Sequence, residues 1–366
     1  MLNIVQFIHG LNMGGAETLV KEYALGLDKT KFNLTILCLK RLHTPYENLL
    51  EQAHIRIIYL SDFMILVHKT NILCRGFNRL QRYYLSRKYL RQLRPDIVHV
   101  HLPLNGYVKF ARLAKTTKIF YTQHFDADRL QNYPQDVKAL RWLIARYPTQ
   151  LIALNDTMRE QLNQLFGISN TVVLNNGINL TRFKQAKCKA QIRRELGIPQ
   201  DAFVLGHIGR LNPIKNQSFL IKAAGQMRKQ PNLNTWLLLV GDGADRAKLE
   251  QEIIRSGLQT HALILSHRTD IPDLLRAMDR FVFPSISEGL GIAVIEAQAA
   301  GIPCVVSNAV PSAVQISNLV TFKSLQEPVK NWVHAILQAP PMPQYTHLEK
   351  WDIAAIIRQL EELYEQ

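Results

Sequence analysis

The sequence predicts an α/β protein built from two tandem domains, each a doubly wound parallel sheet, on three observations. Short runs rich in Val, Ile, Leu, Phe and Tyr alternate with helix-patterned segments, the alternation restarts after residue 176, and 366 residues suffice for two cores. Such runs read as strands buried on both faces, which places helices on either side of a parallel sheet.

In the first half the strand signals are "NIVQFI", "NLTILCL", "RIIYL", "DIVHVH", "KIFYTQH" and "QLIAL". The run "TVVL" then ends in "NNG", a turn signal that marks the join. The second half begins again with "FVLGHIGR", "NTWLLLVGDG", "ALILSH", "RFVFPS" and "IPCVVS". The expected boundaries are 1–176, 177–349 and a closing segment, 350–366, that crosses back to the first domain. In that segment Ile353, Ile356, Ile357, Leu360 and Leu363 share one helical face. Ligands of open parallel sheets sit at the carboxyl ends of the strands, so a cleft between two such edges is expected.

Composition narrows the partners. No apolar run reaches the roughly 18 residues of a spanning helix, and the N-terminus shows no basic leader, so a cytoplasmic protein is expected. Four cysteines, Cys38, Cys74, Cys188 and Cys304, stand singly without metal-ligand spacing and are expected to be buried small hydrophobes. The net charge is +15, and its surplus lies in residues 1–180, with 23 Lys and Arg against 12 Asp and Glu. The densest basic stretch begins "HKTNILCRGFNRLQRYY"; its alternatives are a solvated helix face or a surface for an anionic partner. Within it Leu73, Phe77, Leu80 and Tyr84 share one helical face and Arg75, Arg79 and Arg82 the other, a pattern suited to packing on the domain or to peripheral contact with an anionic membrane.

The chemistry-bearing motifs follow strands. "HGLNMGGAET" sets Gly14 and Gly15 ahead of a helix, where unpaired N–H groups and the helix dipole favour an anion; close helix packing is the structural alternative. Neither a G-x-G-x-x-G fingerprint nor a Walker sequence occurs, which argues against a dinucleotide enzyme or P-loop ATPase. "GHIGRLNPIKN" places Arg210 and Lys215 in a strand-to-helix loop, a planar fork and a point charge suited to a diphosphate. "VGDGADRAK" is a further glycine turn, and "FYTQHFDAD" sets His124 just past a strand. Its acids Asp126 and Asp128 match a metal-bound D-x-D pattern too common by chance to be assigned. In "SEGLGIAVIEAQAAGIP", Glu288 falls in a loop and Glu296 inside the following helix, with Gly289, Leu290 and Gly291 between. A carboxylate on an apolar helix face suits paired hydroxyls, and glycine amides suit phosphate; a capping Glu and a salt-bridged Glu are the alternative.

Taken together, "GGAET", "TQH", "NNGI", "GRLNPIKN", "VGDG" and "SEGLGIAVIEAQAAGIPCVVS" resemble the retaining GT-B glycosyltransferases of glycosyltransferase family 4, in order from Gly10 to Ser307. The wording after Ser307 resembles the bacterial capsule and exopolysaccharide branch. The resemblance implies a GT-B architecture with Rossmann-like domains. It implies that Glu296 binds ribose hydroxyls and Glu288 the donor sugar. Arg210 and Lys215 would bind the diphosphate, Gly14 and Gly15 would close over it, and His124 would lie beside the reacting sugar, with Arg268 a further donor-site neighbour. The expected activity is transfer of a sugar from a nucleotide-diphosphate donor, a UDP-sugar, to a saccharide or lipid-linked acceptor, with no metal, cofactor or nucleic acid. A GT-B-like epimerase or phosphorylase, and a noncatalytic basic scaffold or nucleic-acid binder, are the alternatives. Sugar identity, acceptor and oligomeric state are not encoded legibly.

Overall fold

A computed structural model describes residues 1–65 and 72–366, and within the helix Ile72–Leu93 the side chains from residue 74 onward. The chain divides into two compact units, one of Met1–Asn176 with Ala354–Gln366 and one of Gly177–Ile353.

The first unit is a parallel sheet of seven strands among the described residues: β1 (Leu2–Ile8), β2 (Phe32–Cys38), β3 (Arg56–Tyr59), β4 (Ile97–His101), β5 (Lys118–Thr122), β6 (Thr149–Ala153) and β7 (Val172–Val173), in the order β3-β2-β1-β4-β5-β6-β7. Its strands carry near-continuous apolar burial because helices cover both faces. The helix Gly15–Gly26 presents Ala16, Val20 and Ala24 to Ile8, Ile36, Cys38, Tyr46 and Leu50. Helix starts follow local chemistry: Asn155 accepts from Met158 N–H at 2.8 Å ahead of Asp156–Phe166, which Gly167 ends in the left-handed conformation at φ 68°. The helix Ile353–Glu365 contributes Ile357, whose Cδ1 would lie 2.3 Å from a Cβ at Gly26, so the contact requires glycine.

The second unit holds, among the described residues, β8 (Phe203–Ile208), β9 (Thr235–Val240), β10 (Ala262–Leu265), β11 (Arg280–Phe283), β12 (Cys304–Ser307) and β13 (Val320–Lys323), all parallel in the order β10-β9-β8-β11-β12-β13. In both sheets the strand order therefore reverses at one place, between β1 and β4 and between β8 and β11. The core of this unit gathers Leu205, Leu220, Leu237, Leu239 and Trp332, with Phe219 edge-on to Trp332 at 4.9 Å.

Two expectations change. Cys38 and Cys304 are buried, but Cys188 is exposed because it starts the surface helix Lys189–Leu196, and Cys74 is half-buried. On the helix Ile72–Leu93, Phe77, Leu80 and Tyr84 are 44%, 64% and 63% exposed, so this apolar stripe is not packed on the core. Leu73, assigned to the same stripe, has a side chain outside the described residues. Asn78, Leu85, Ser86 and Leu90 are buried instead. No described helix is long and apolar enough to cross a membrane.

Candidate functional site

In the second unit the loops after β8 and β11 are stitched together. Ile286 N–H donates to Ile214 O at 2.8 Å, and Lys215 Nζ donates to Glu288 Oε1 at 2.6 Å. The lysine is 20% and the glutamate 9% exposed at the side chain, and Lys215 Nζ also lies 4.8 Å over the Phe283 ring. The pair thus sits in a partly desolvated place, where an anion can exchange for the carboxylate as the lysine's partner. Asn212 orients this cation by accepting from Lys215 N–H at 3.1 Å. Arg210 is exposed at the start of the same loop.

The glycine turn after β9 locks against this loop. A Cβ at Gly241 would fall 2.0 Å from Gly209 O, and one at Gly243 would fall 2.1 Å from Leu211 O, while Leu211 N–H donates to Asp242 O at 2.9 Å. "VGDG" is therefore fixed by close backbone approach, which in turn fixes the loop that carries Arg210 and Lys215.

Gly291 precedes the helix Ile292–Ala299 at φ 91°, a conformation that favours glycine. Gly289 and Leu290 are buried. Glu296 is half-buried within the helix, with Ala293, Val294, Ile295, Ala297 and Gln298 buried around it. Arg268 is held bidentately by Asp270 through Nε and Nη2.

Residues that sequence reasoning missed complete this edge. His207 donates from Nδ1 to Val282 O at 2.9 Å and stacks on Phe283 at 5.2 Å. Burial, followed by the Lys215 charge, pushes its pKa down to about 4, so it is a neutral support. Gln217 donates to Arg210 O at 2.9 Å. Its Oε1, together with Ser285 Oγ and Ser287 Oγ, is buried with no hydrogen-bond partner, as expected of groups that a ligand satisfies. Short polar residues beside strand ends carry no pattern that would have singled them out.

In the first unit Gly14 and Gly15 stand at the start of the helix Gly15–Gly26, Gly14 extended and Gly15 exposed. His124 follows β5 and belongs to a polar chain. Gln6 donates from Nε2 to Tyr364 Oη at 2.9 Å, which leaves its Oε1 to accept from His101 Nε2. His101 Nδ1 is then the acceptor of His124 Nε2–H at 2.8 Å. Tyr364 donates in turn to His99 Nδ1 at 2.6 Å, and His99 Nε2 donates to Thr122 at 2.7 Å. By this assignment His124 carries its proton on Nε2, and Nδ1, buried and without a partner, is a bare acceptor. Burial pushes the His124 pKa down to about 3, so the ring is neutral. Asp126 accepts from Asp128 N–H at 3.1 Å and caps a short turn. Among the described residues no three His, Cys, Asp or Glu side chains cluster in metal-binding geometry.

Two doubly wound parallel sheets, with a glycine turn at strand ends of each and a cationic loop in the second, make an α/β protein of GT-B type. The chain belongs to the GT-B glycosyltransferases: residues 13–182 match Glycosyltransferase Family 4 and residues 189–339 match Glycosyl transferases group 1. EpsF of Bacillus subtilis (strain 168), which is assigned as a glycosyltransferase, is 29% identical over 349 residues, 92% of this chain and 87% of that protein. The Escherichia coli UDP-Gal:alpha-D-GlcNAc-diphosphoundecaprenol alpha-1,3-galactosyltransferase is 32% identical over 231 residues, 60% of each chain. Among solved structures, Anabaena Alr3699/HepE in complex with UDP and glucose superposes with a TM-score of 0.78 at 20% identity, covering 100% of both chains, a likeness of fold. The chain is a glycosyltransferase enzyme.

Proposed function

We propose that this enzyme transfers a sugar, with retention and without a metal, from a UDP-sugar to an acceptor hydroxyl in bacterial surface polysaccharide or glycolipid assembly, acting in the cytoplasm. The observation that carries the reading is the Lys215–Glu288 pair at 2.6 Å, which joins the cation expected at a diphosphate to the acid expected at a sugar in one half-buried place. UDP is part of the solved HepE complexes and of the galactosyltransferase's name, which supports the choice of nucleotide.

In this reading the domain 177–349 binds the donor and the domain 1–176 the acceptor. Lys215, Arg210 and the amides of Gly289, Leu290 and Gly291 take the diphosphate, where charge gathers as the glycosidic bond breaks; placed beforehand, they stabilise the transition state. Glu296 holds the ribose hydroxyls, Glu288 the sugar, and Arg268 lies at the periphery of the donor site, while Gly14 and Gly15 of the first unit offer helix-start amides suited to an anion. The bare Nδ1 of His124 accepts a hydrogen bond from a hydroxyl of the reacting sugars. Phe77, Leu80 and Tyr84 offer a peripheral membrane contact beside a lipid-linked acceptor.

Incubation with a panel of nucleotide sugars, scoring released nucleotide and the anomeric configuration of the product, tests the reading. UDP release with a retained configuration supports it. Release of sugar phosphate, or epimerised donor without an acceptor, contradicts it.

A further inference from the structure

At the carboxyl edge of the first unit's sheet lies a pocket of about 700 Å³, lined among others by His9, Arg75, Arg79, Arg82, Tyr107 and Tyr133. His9 follows β1, while Pro103 and Leu104, also in the wall, follow β4. The pocket therefore opens where the strand order reverses, the place at which open parallel sheets bind ligands.

Its charge is one-sided. Arg75, Arg79 and Arg82 recur at positions i, i+4 and i+7 of one helix, so their guanidinium groups leave it on one face. Among the described residues none of the three forms an ion pair, and Arg79 lies 5.9 Å over the Tyr83 ring. The one carboxylate in the wall, Asp136, is engaged by Asn105 Nδ2 at 2.7 Å and Gly106 N–H at 3.3 Å. Tyr83 and Tyr107, 4.4 Å apart, and Tyr133 give flat aromatic walls of the kind on which sugar rings lie.

We propose that this pocket binds the phosphate or diphosphate of a phosphorylated saccharide acceptor, with Arg75, Arg79 and Arg82 as its anion ligands and the tyrosines against its sugar. Three guanidinium groups exceed what a single carboxylate employs and match the several oxygens of a phosphate or diphosphate. A concave pocket of this size admits a small head group rather than a nucleic-acid backbone. The proposal rests on the acceptor role given to this domain above. It also changes the sequence-based reading of these arginines: they line a pocket rather than spread over a lipid surface.

Calorimetric titration with inorganic pyrophosphate tests it, carried out in the Lys215→Gln protein so that the donor loop is weakened. One site should remain, and adding Arg79→Gln with Arg82→Gln should weaken it about tenfold or more. Arg79 is exposed and Arg82 half-buried, and an unchanged melting transition would show that the fold is intact. With Lys215 restored, the double arginine variant should keep its UDP affinity within about twofold. A pyrophosphate site that survives the arginine changes, or an oligonucleotide that displaces pyrophosphate at equal phosphate concentration, overturns the inference. Failure of the wild type to bind UDP would instead overturn the donor reading and leave the pyrophosphate result standing.

Vesicles distinguish the source of the phosphate. Arginine-dependent capture by phosphatidylcholine vesicles carrying a polyprenyl phosphate identifies a lipid-linked acceptor. Retention of glucose 1-phosphate binding without such capture identifies a soluble one. Equal arginine-dependent capture by phosphatidylglycerol vesicles of matched charge would contradict a phosphate-selective pocket.

Discussion

His124 donates from Nε2 to Nδ1 of His101 across 2.8 Å, and this bond decides which face of the His124 ring can act on a ligand. The order of donors runs back through Gln6 to Tyr364, near the far end of the chain. Replacing Gln6 by Leu removes the acceptor that fixes the His101 tautomer and strands a buried N–H group, which costs about 1–3 kcal/mol of stability. Turnover should fall about tenfold or more while UDP affinity is unchanged, because the altered ring contacts no nucleotide. Urea unfolding and steady-state kinetics check both halves, and nitrogen NMR of the imidazoles should report a mixture of tautomers at His124.

Acid should destabilise the protein from about pH 6.5 downward. Burial lowers His99 and His124 to about 3, His207 to about 4, and His101 well below the ordinary histidine value. The unfolded chain therefore binds more protons than the folded one below the ordinary histidine value, and stability is lost as pH falls toward those lowered values. Asp136 opposes this trend. Burial raises it to about 6, so its contribution is present at low pH and lost as pH rises from about 4 through 6. These four histidines outweigh one raised carboxyl, and urea midpoints from pH 8 to pH 5 should fall. An Asp136→Asn variant should show the steeper histidine slope alone.

If Lys215 and Arg210 take the diphosphate as proposed, in the place a divalent ion holds at a D-x-D site, chelation should leave donor turnover intact. Asp126→Asn and Asp128→Asn should keep donor affinity within about twofold. Loss of activity in EDTA that manganese restores would assign the diphosphate to a metal instead.

Membrane contact should depend on the exposed apolar stripe. Leu80→Asp and Tyr84→Asp place charge on an exposed helix face and should leave the melting transition within about 1 °C to 3 °C, since surface changes alter stability little. Flotation with vesicles should nevertheless fall sharply. Equal flotation of both variants and wild type would show that this stripe does not meet lipid.

Much of this architecture is legible because parallel strands buried on both faces write themselves as unbroken apolar runs, and every quoted run lies on a strand. The donor-side loops are legible for a related reason: Gly241, Gly243 and Gly291 answer to local backbone geometry, which leaves a trace in consecutive residues. The first unit's chemistry is harder to see. Gln6 and Tyr364 are 358 positions apart, and a glutamine inside the strand "NIVQFI" gives no sign that it orients two histidines. Tyr364 falls on the face of Ile353, Ile357 and Leu360 by the helical period and is fully buried, but the period gives no sign that its hydroxyl meets Gln6 and His99. Arg75, Arg79 and Arg82 read equally well as a solvated face, because periodicity places side chains around a helix and says nothing of the wall opposite.

Calorimetric UDP binding by the Glu288→Gln and Glu296→Gln proteins, beside wild type and with melting transitions confirmed unchanged, tests the assignment of the donor site most directly. Glu296 is assigned to the ribose, so Glu296→Gln should weaken UDP about tenfold or more. Glu288 is assigned to the sugar that UDP lacks, and its carboxylate holds Lys215 at 2.6 Å. Neutralising it leaves that cation free for the diphosphate, so Glu288→Gln should bind UDP as tightly as wild type or more tightly, while its turnover falls about 10²-fold. Equal loss of UDP affinity in the two variants, or full affinity in both, would contradict the division of labour between these two glutamates.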